Sequence, residues 1–274
     1  MRGERGEIEQ WLGACSDIDE LKRTETALRY SNDELSQFAH AAAHDLQEPL
    51  RNVANAAGLL RRYCGNRLDP EERDLSQACI EGSQRMQSMV RDLLAYAKVI
   101  DCSESEAVVT DSSETIQQVL ANLGAAIEES KAELNWEPLP VLPVKKAHLL
   151  ALLQNLIANA IKYRKSDIAP VIRVWVARQG GEWVFSVSDN GIGFDPAYAE
   201  RIFGVFKRLH QRNEYSGTGI GLAICARIIA HYGGRIWAES QLGEGATFRF
   251  TLPAHQTSQR RTAYASSYYP HVAR

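Results

Sequence analysis

The chain has 274 residues, 45% of them hydrophobic and 24% charged, with 31 Lys and Arg against 34 Asp and Glu for a net charge of −3. That length allows about two domains with cores of their own, and the balanced charge excludes a disordered chain and a basic protein that coats nucleic acid. No run of 18 apolar residues is present to span a bilayer, and the opening MRGERGEIEQ lacks a secretory apolar stretch, so a cytoplasmic location is expected.

Residues 1–20 end in a short β-like run that passes directly into a helix. Leu21, Leu28, Leu35 and Ala42 then recur every seven residues, a spacing that lets a helix pack along a partner. The pattern continues through Leu46, Leu50, Val53 and Leu60, and Pro49 inside it predicts a kink near residue 45. A turn at CGNRLDP (64–70) leads to a second helix with the apolar seam Leu75, Cys79, Gly82, Met86, Met89, Leu93 and Tyr96. Two long helices joined by a short turn form an αα-hairpin. One hairpin leaves its seams uncovered, so pairing of two copies into a four-helix bundle is expected, with a lone hairpin packed on the next domain as the alternative.

After an acidic linker at 101–106, helix patterns near 111–131 and 145–164 mix with strand patterns near 133–137, 172–178, 183–189, 235–240 and 247–252. The 172–189 pair, separated by Gln-Gly-Gly-Glu, predicts a hairpin. Together these predict an α+β sandwich, one sheet against helices. The tail from about 255 has no periodicity and is expected to be disordered. The five cysteines are odd in number and scattered without a CxxC pair, and are expected to be reduced thiols. Cys79 and Cys225, among apolar neighbours, are expected in the core.

Five segments carry possible chemistry, one of them GEGATFRF (243–250), a glycine turn into the last strand. In FAHAAAHDLQEPLR (38–51), His40 and His44 share a helix face, but no third metal ligand is near. Core and surface histidines are the plain readings. Asp45 beside His44 adds another, because a carboxylate can hold one ring proton and leave the other nitrogen nucleophilic. In LLQNLIANAIKYRK (152–165), Asn155, Asn159 and Lys162 form one polar stripe beside an apolar one. That stripe is either a solvated face or a ligand site, and amide oxygens suit Mg²⁺. SDNGIGFDP (188–196) follows a strand; Gly191 and Gly193 let the backbone approach a flat ligand, and Asp189 can accept from an exocyclic amine. SGTGIGLAICARIIAHYGG (216–234) opens an apolar helix with Gly217, Gly219 and Gly221, and helix N-termini favour anions. Neither a Walker loop nor GxGxxG is present.

In this order the segments resemble a sensor histidine kinase of the phytochrome-like branch from about residue 21 to 254. HDLQEPLR resembles the H-box, NLIANAIKY the N-box, DNGIGF and GTGIGLAI the two glycine boxes, IFGVFKRLH (202–210) the F-box of the nucleotide lid, and GEGATFRF (243–250) the last box. The resemblance implies a PAS remnant at 1–20, a dimerisation and phosphotransfer domain at 21–100, an ATP-binding domain of the histidine kinase/gyrase type at 107–254, and a tail at 255–274. It implies that His44 accepts the γ-phosphoryl group of ATP, oriented and deprotonated by Asp45. Asn159 would bind Mg²⁺ with support from Asn155. Lys162, Tyr163 and Arg208 would contact phosphates, and Asp189 would hold the adenine amine with Thr247 near it through water. Gly191, Gly193, Gly217, Gly219 and Gly221 would shape the pocket.

A response regulator on a separate protein would be the phosphoryl acceptor, the chain would act as a homodimer, and the upstream PAS or other sensor domain would be missing from it. Relatives that also dephosphorylate their regulator carry Thr or Asn four residues after the histidine. Glu48 stands there in this chain, so weak phosphatase activity is expected. The competing readings are an ATP-driven conformational protein of the gyrase or chaperone type and a non-catalytic dimeric scaffold.

Overall fold

The structure, a computed structural model, describes residues 17, 19–65, 67–99, 109–209, 215 and 217–254, with several side chains of the first helix and that of residue 98 left out. The strand expected before residue 17, the 101–106 linker and the tail after 254 lie outside the described residues.

Helices α1 (Asp19–Cys64) and α2 (Pro70–Lys98) form the hairpin. α1 runs through Pro49 without a break. The turn between the helices ends in a reciprocal cap, which satisfies donors that a helix start leaves orphaned. Asp69 accepts the Glu72 backbone N–H at 2.8 Å, and the Glu72 carboxylate accepts the Asp69 N–H at 2.9 Å. α2 meets α1 through small residues: Ser76 and Ser83 are buried, and the Ser76 hydroxyl donates to the Ala57 carbonyl at 3.0 Å. The apolar seam lies on a different face, with Leu75, Met86 and Leu93 at 62%, 46% and 42% exposure. Cys79 belongs to that face and is exposed, contrary to the core position expected for it. Its apolar neighbours mark the uncovered stripe of the hairpin and not its interior.

The rest of the described chain is a two-layer sandwich. Its elements are β1 (Thr110–Asp111), α3 (Ser112–Ser130), β2 (Glu133–Trp136), β3 (Val141–Leu142), α4 (Lys146–Lys162), β4 (Val171–Gln179), β5 (Glu182–Asp189), two 3₁₀ turns (Pro196–Tyr198 and Arg201–Phe203), α5 (Gly221–His231), β6 (Ile236–Gln241) and β7 (Gly245–Pro253). Five strands lie in the order β2-β4-β5-β7-β6, parallel only between β2 and β4. β1 and β3 form a separate two-residue antiparallel ladder.

The side-chain period of two puts Ile172 and Val174 of β4, Phe185 and Val187 of β5, and Phe248, Phe250 and Leu252 of β7 on one face. Phe185 and Phe250 are directly paired, their rings parallel to within 6° at 5.0 Å. Leu149, Leu152, Leu153, Leu156, Ile157, Ala160 and Ile161 of α4 fill the space above that face. α3 and α5 flank α4, and Cys225 of α5 is fully buried, as expected. Burial pushes its thiol up to about 12, which makes it inert.

The start of α4 is tied to the end of α5 through one hydroxyl. Tyr232 accepts the Lys145 backbone N–H at 2.9 Å and lies 2.9 Å from His148 Nδ1. Burial, with the His231 and Lys145 charges behind it, lowers His148 to about 4, so the imidazole is neutral near pH 7. This tie fixes the polar stripe of α4 relative to the glycine-rich start of α5.

Candidate functional site

The stripe on α4, the β5 end and the glycine segments converge on one side of the sandwich. Asn159, Tyr163, Asp189, Gly193 and Arg208 line a common cavity of about 80 Å³, with Phe194, Ile202, Leu222 and Phe248 as its apolar walls. That volume is below the roughly 300–1,000 Å³ of small-molecule pockets, and Lys207, Arg208 and Leu209 form one of its sides.

Asp189 ends β5 and faces a turn that its own carboxylate stabilises. Its Oδ1 accepts the backbone N–H groups of Gly191 at 2.8 Å and Ala246 at 3.3 Å. Burial raises its pKa above the usual carboxylate range, and those two N–H donors oppose the rise. Gly193 holds φ +62° where a Cβ would fall on the Gln241 carbonyl, so the turn needs glycine for both reasons. Thr247 lies beside this corner, its hydroxyl 2.9 Å from that of Ser188.

The cationic groups gather at the other end. The Lys162 ammonium donates to the Tyr163 hydroxyl at 2.9 Å and lies 4.4 Å from the centre of its ring. Lys162 and Tyr215 do not line that cavity; they border a second, wider groove of about 1130 Å³. Arg208 donates through Nη1 to the Gly217 carbonyl and through Nη2 to the Tyr215 carbonyl, each at 2.5 Å. Its guanidinium therefore closes a loop of chain.

Not every expected residue lines the cavity. The Asn155 amide donates to the Ala151 carbonyl at 2.8 Å, and its Oδ1 lies where a Cβ on Gly221 would stand. It packs α4 against the first turn of α5. Gly191, Gly217, Gly219, Gly221 and Thr247 shape the surroundings without lining the cavity. Asp45 is exposed on α1, and the His44 side chain lies outside the described residues. Sequence reasoning did not single out Phe194, Ile202, Lys207, Leu209, Leu222, Ala246 and Phe248; all seven lie inside the glycine-box, F-box and GEGATFRF segments, which was the available signal.

The donor set fits one hard cation shared with an anionic ligand. Among the described residues no three acidic, histidine or cysteine side chains cluster as a full metal cage. The Asn159 amide at the cavity wall is the single-ligand arrangement that suits Mg²⁺, which takes its remaining oxygens from phosphates and water.

Residues 34–101 match the family described as "His Kinase A (phospho-acceptor) domain", and residues 144–256 match "Histidine kinase-, DNA gyrase B-, and HSP90-like ATPase". The adaptive-response sensory kinase SasA of Synechococcus sp. (strain JA-3-3Ab) is 32% identical over 92% of this chain and 68% of its own. The chain belongs to the sensor histidine kinases. It fits their phytochrome-like branch: cyanobacterial phytochrome A of Nostoc sp. is 46% identical over 243 residues, 89% of this chain and 32% of that protein. The chain thus spans about a third of the length of the phytochromes it matches.

Among solved structures, that of full-length ShkA in complex with AMPPNP superposes with a TM-score of 0.59 at 30% identity, over 79% of this chain and 45% of that one. The fold is therefore a helical hairpin of the phosphoacceptor type followed by the ATP-binding sandwich of the histidine kinases. No helix among the described residues is long and apolar enough to cross a membrane.

Proposed function

We propose that this chain is the catalytic part of a dimeric, cytoplasmic two-component kinase that phosphorylates its own His44 from ATP and passes the group to an aspartate of a separate response regulator. The observation that carries the reading is the convergence of Asn159, Tyr163, Asp189 and Arg208 on one cavity beside an apolar wall that suits a flat base. Residues 1–20 would be the end of a PAS domain, 21–100 the dimerisation and phosphotransfer domain and 107–254 the ATP-binding domain.

Each group has a chemical task. Asp189, fixed by two backbone donors, accepts the adenine amine, with Thr247 near it through water. Lys162, Tyr163 and Arg208 offset phosphate charge. Asn159 holds Mg²⁺, with Asn155 supporting the helix register behind it; the ion supplies charge neutralisation when bound. Asp45 holds one ring proton of His44, and the other ring nitrogen attacks the γ-phosphorus. A nitrogen–phosphorus bond forms, the bond to the bridging oxygen breaks, and ADP leaves with that electron pair. Positioning and charge neutralisation supply most of the catalysis in phosphoryl transfer.

The test is incubation of the purified chain with γ-labelled ATP and Mg²⁺. Protein-bound label that survives alkali but not acid is expected, lost in His44→Gln with ATP binding kept and largely retained in His40→Gln. Label that persists in His44→Gln would overturn the assignment.

A further inference from the structure

α2 reaches the nucleotide domain along one of its faces. Asp92, Tyr96 and Val99 lie at i, i+4 and i+7, so they share a stripe. Val99 is 4% exposed and packs with Ile220, Ile224 and Ile228. The Tyr96 ring lies 4.1 Å from the Arg227 guanidinium. Asp92 Oδ2 accepts the Thr218 hydroxyl at 2.5 Å, a link across 126 residues.

Thr218 stands between Gly217 and Gly219, whose φ values are +139° and +77°. The same turn presents the Gly217 carbonyl that Arg208 clasps, and Arg208 lines the cavity. An unbroken chain of contacts thus runs from α2 through Thr218 and Gly217 to Arg208 and the cavity wall. In this arrangement the Arg208 guanidinium donates to two backbone carbonyls at the edge of a cavity of about 80 Å³. Arg227, whose guanidinium lies against Tyr96 in this face, buries its Nε without a hydrogen-bond partner among the described residues. An orphaned donor makes a contact easier to release.

We infer that Asp92 is a positioning residue that restrains the nucleotide pocket through Thr218, so that ATP binding and the docking of α2 on α5 oppose each other. The inference rests on the reading of the cavity as the ATP site. ATP must draw Arg208 away from the Gly217 turn, and the Asp92–Thr218 bond holds that turn in place. Linkage makes the effect reciprocal: a displacement of α2 that breaks the bond favours ATP, and bound ATP favours undocking of α2. The apparent affinity of the wild type is then reduced by the fraction of molecules that are latched.

The measurement is the Kd of Mg-ATP, by displacement of a fluorescent ATP analogue from the full chain. Asp92→Ala and Thr218→Val should each tighten binding about five- to tenfold, the scale of one partly screened charge-assisted hydrogen bond. The double variant should bind no more tightly than either single one, because both remove the same contact. Thr218→Ser, which keeps the hydroxyl, should match the wild type, a rescue that a merely packing role for Thr218 would not give. Asp189→Asn in each background reports separately on the site. Binding that this change weakens, with Asp92→Ala at the wild-type Kd or weaker, or with multiplicative effects in the double variant, overturns the latch alone. No binding by any chain overturns the latch and the ATP site together.

Discussion

The Gly191 backbone N–H meets Asp189 Oδ1 at 2.8 Å, and the Ala246 N–H reaches the same oxygen from the far end of the glycine turn before β7. Asparagine in place of Asp189 can still accept both bonds through its amide oxygen. What it removes is a carboxylate whose ionisation burial disfavours. A carboxyl group with a raised folded-state pKa binds a proton more tightly in the native chain than in the unfolded one. Its contribution to stability is therefore fullest below 3.8 and is lost as pH rises through the folded-state value. Asp189→Asn should melt at a higher temperature than the wild type at pH 7, with the gap narrowing as pH falls toward 3.8. It should also bind ATP more weakly, because the amide donates where the adenine amine needs an acceptor. Thermal melts across pH, paired with nucleotide titration, check both parts; equal melting temperatures at pH 7 would remove burial as the cause.

Gly193 and Gly180 separate backbone conformation from close approach. Both have positive φ, +62° and +59°, but a Cβ on Gly180 meets nothing within 4 Å, whereas one on Gly193 meets the Gln241 carbonyl. Gly180→Ala should cost about 1 kcal/mol, the penalty of the left-handed region alone. Gly193→Ala should cost about 2–3 kcal/mol, because the turn must also move. Urea unfolding of the two variants gives the difference, and equal costs would mean that the Gly193 turn yields freely.

Much of this arrangement was legible in the sequence because it follows a period. The apolar positions of α4 repeat on one side and place Asn159 on the other; the strands from Val171 to Asp189 alternate on either side of Gly180 and Gly181. What has no period was not legible. β1 and β3 are two residues each, too short to alternate, and β3 sits among prolines. Ala246 and Phe248 reach the cavity only because β7 pairs with β5 at the register Ser188–Thr247. The Asp92–Thr218 bond joins positions 126 residues apart and leaves no local trace in either segment. Asn155 was readable as part of a polar stripe, but its contact with Gly221 depends on how α4 packs on α5.

The exposed seam of the hairpin gives a prediction about assembly. Leu46, Val53 and Leu60 of α1 recur every seven residues at 54%, 49% and 51% exposure, and Leu93 of α2 is 42% exposed. Such heptad stripes are covered when two hairpins pack as a four-helix bundle. Leu93→Glu would place a carboxylate in that seam, at a desolvation cost that an apolar partner cannot repay. Light scattering should find a dimer for the wild type at micromolar concentration and a monomer for the variant. A wild-type monomer would count against the proposed dimer.

Glu48, exposed on α1 one helical turn after His44, bears on the reverse reaction. Removal of phosphate from a regulator requires a water held close to a dianionic group. A threonine hydroxyl can orient that water without adding charge, whereas a carboxylate brings a like charge to the same place. At about 5 Å in an effective dielectric near 20 the repulsion would be roughly 3 kcal/mol. Exposure screens it, and exposed charge pairs are worth about 0.2–1 kcal/mol. The charge alone therefore accounts for no more than about a fivefold change in rate. Glu48→Thr should accelerate dephosphorylation of the partner receiver by at least a few-fold, since it removes the repulsion and supplies a hydroxyl, while labelling of His44 continues. Loading the receiver with phosphate and timing its decay with each chain makes the comparison. Decay that is rapid with the wild type and unchanged in Glu48→Thr would show that this position does not govern the reaction.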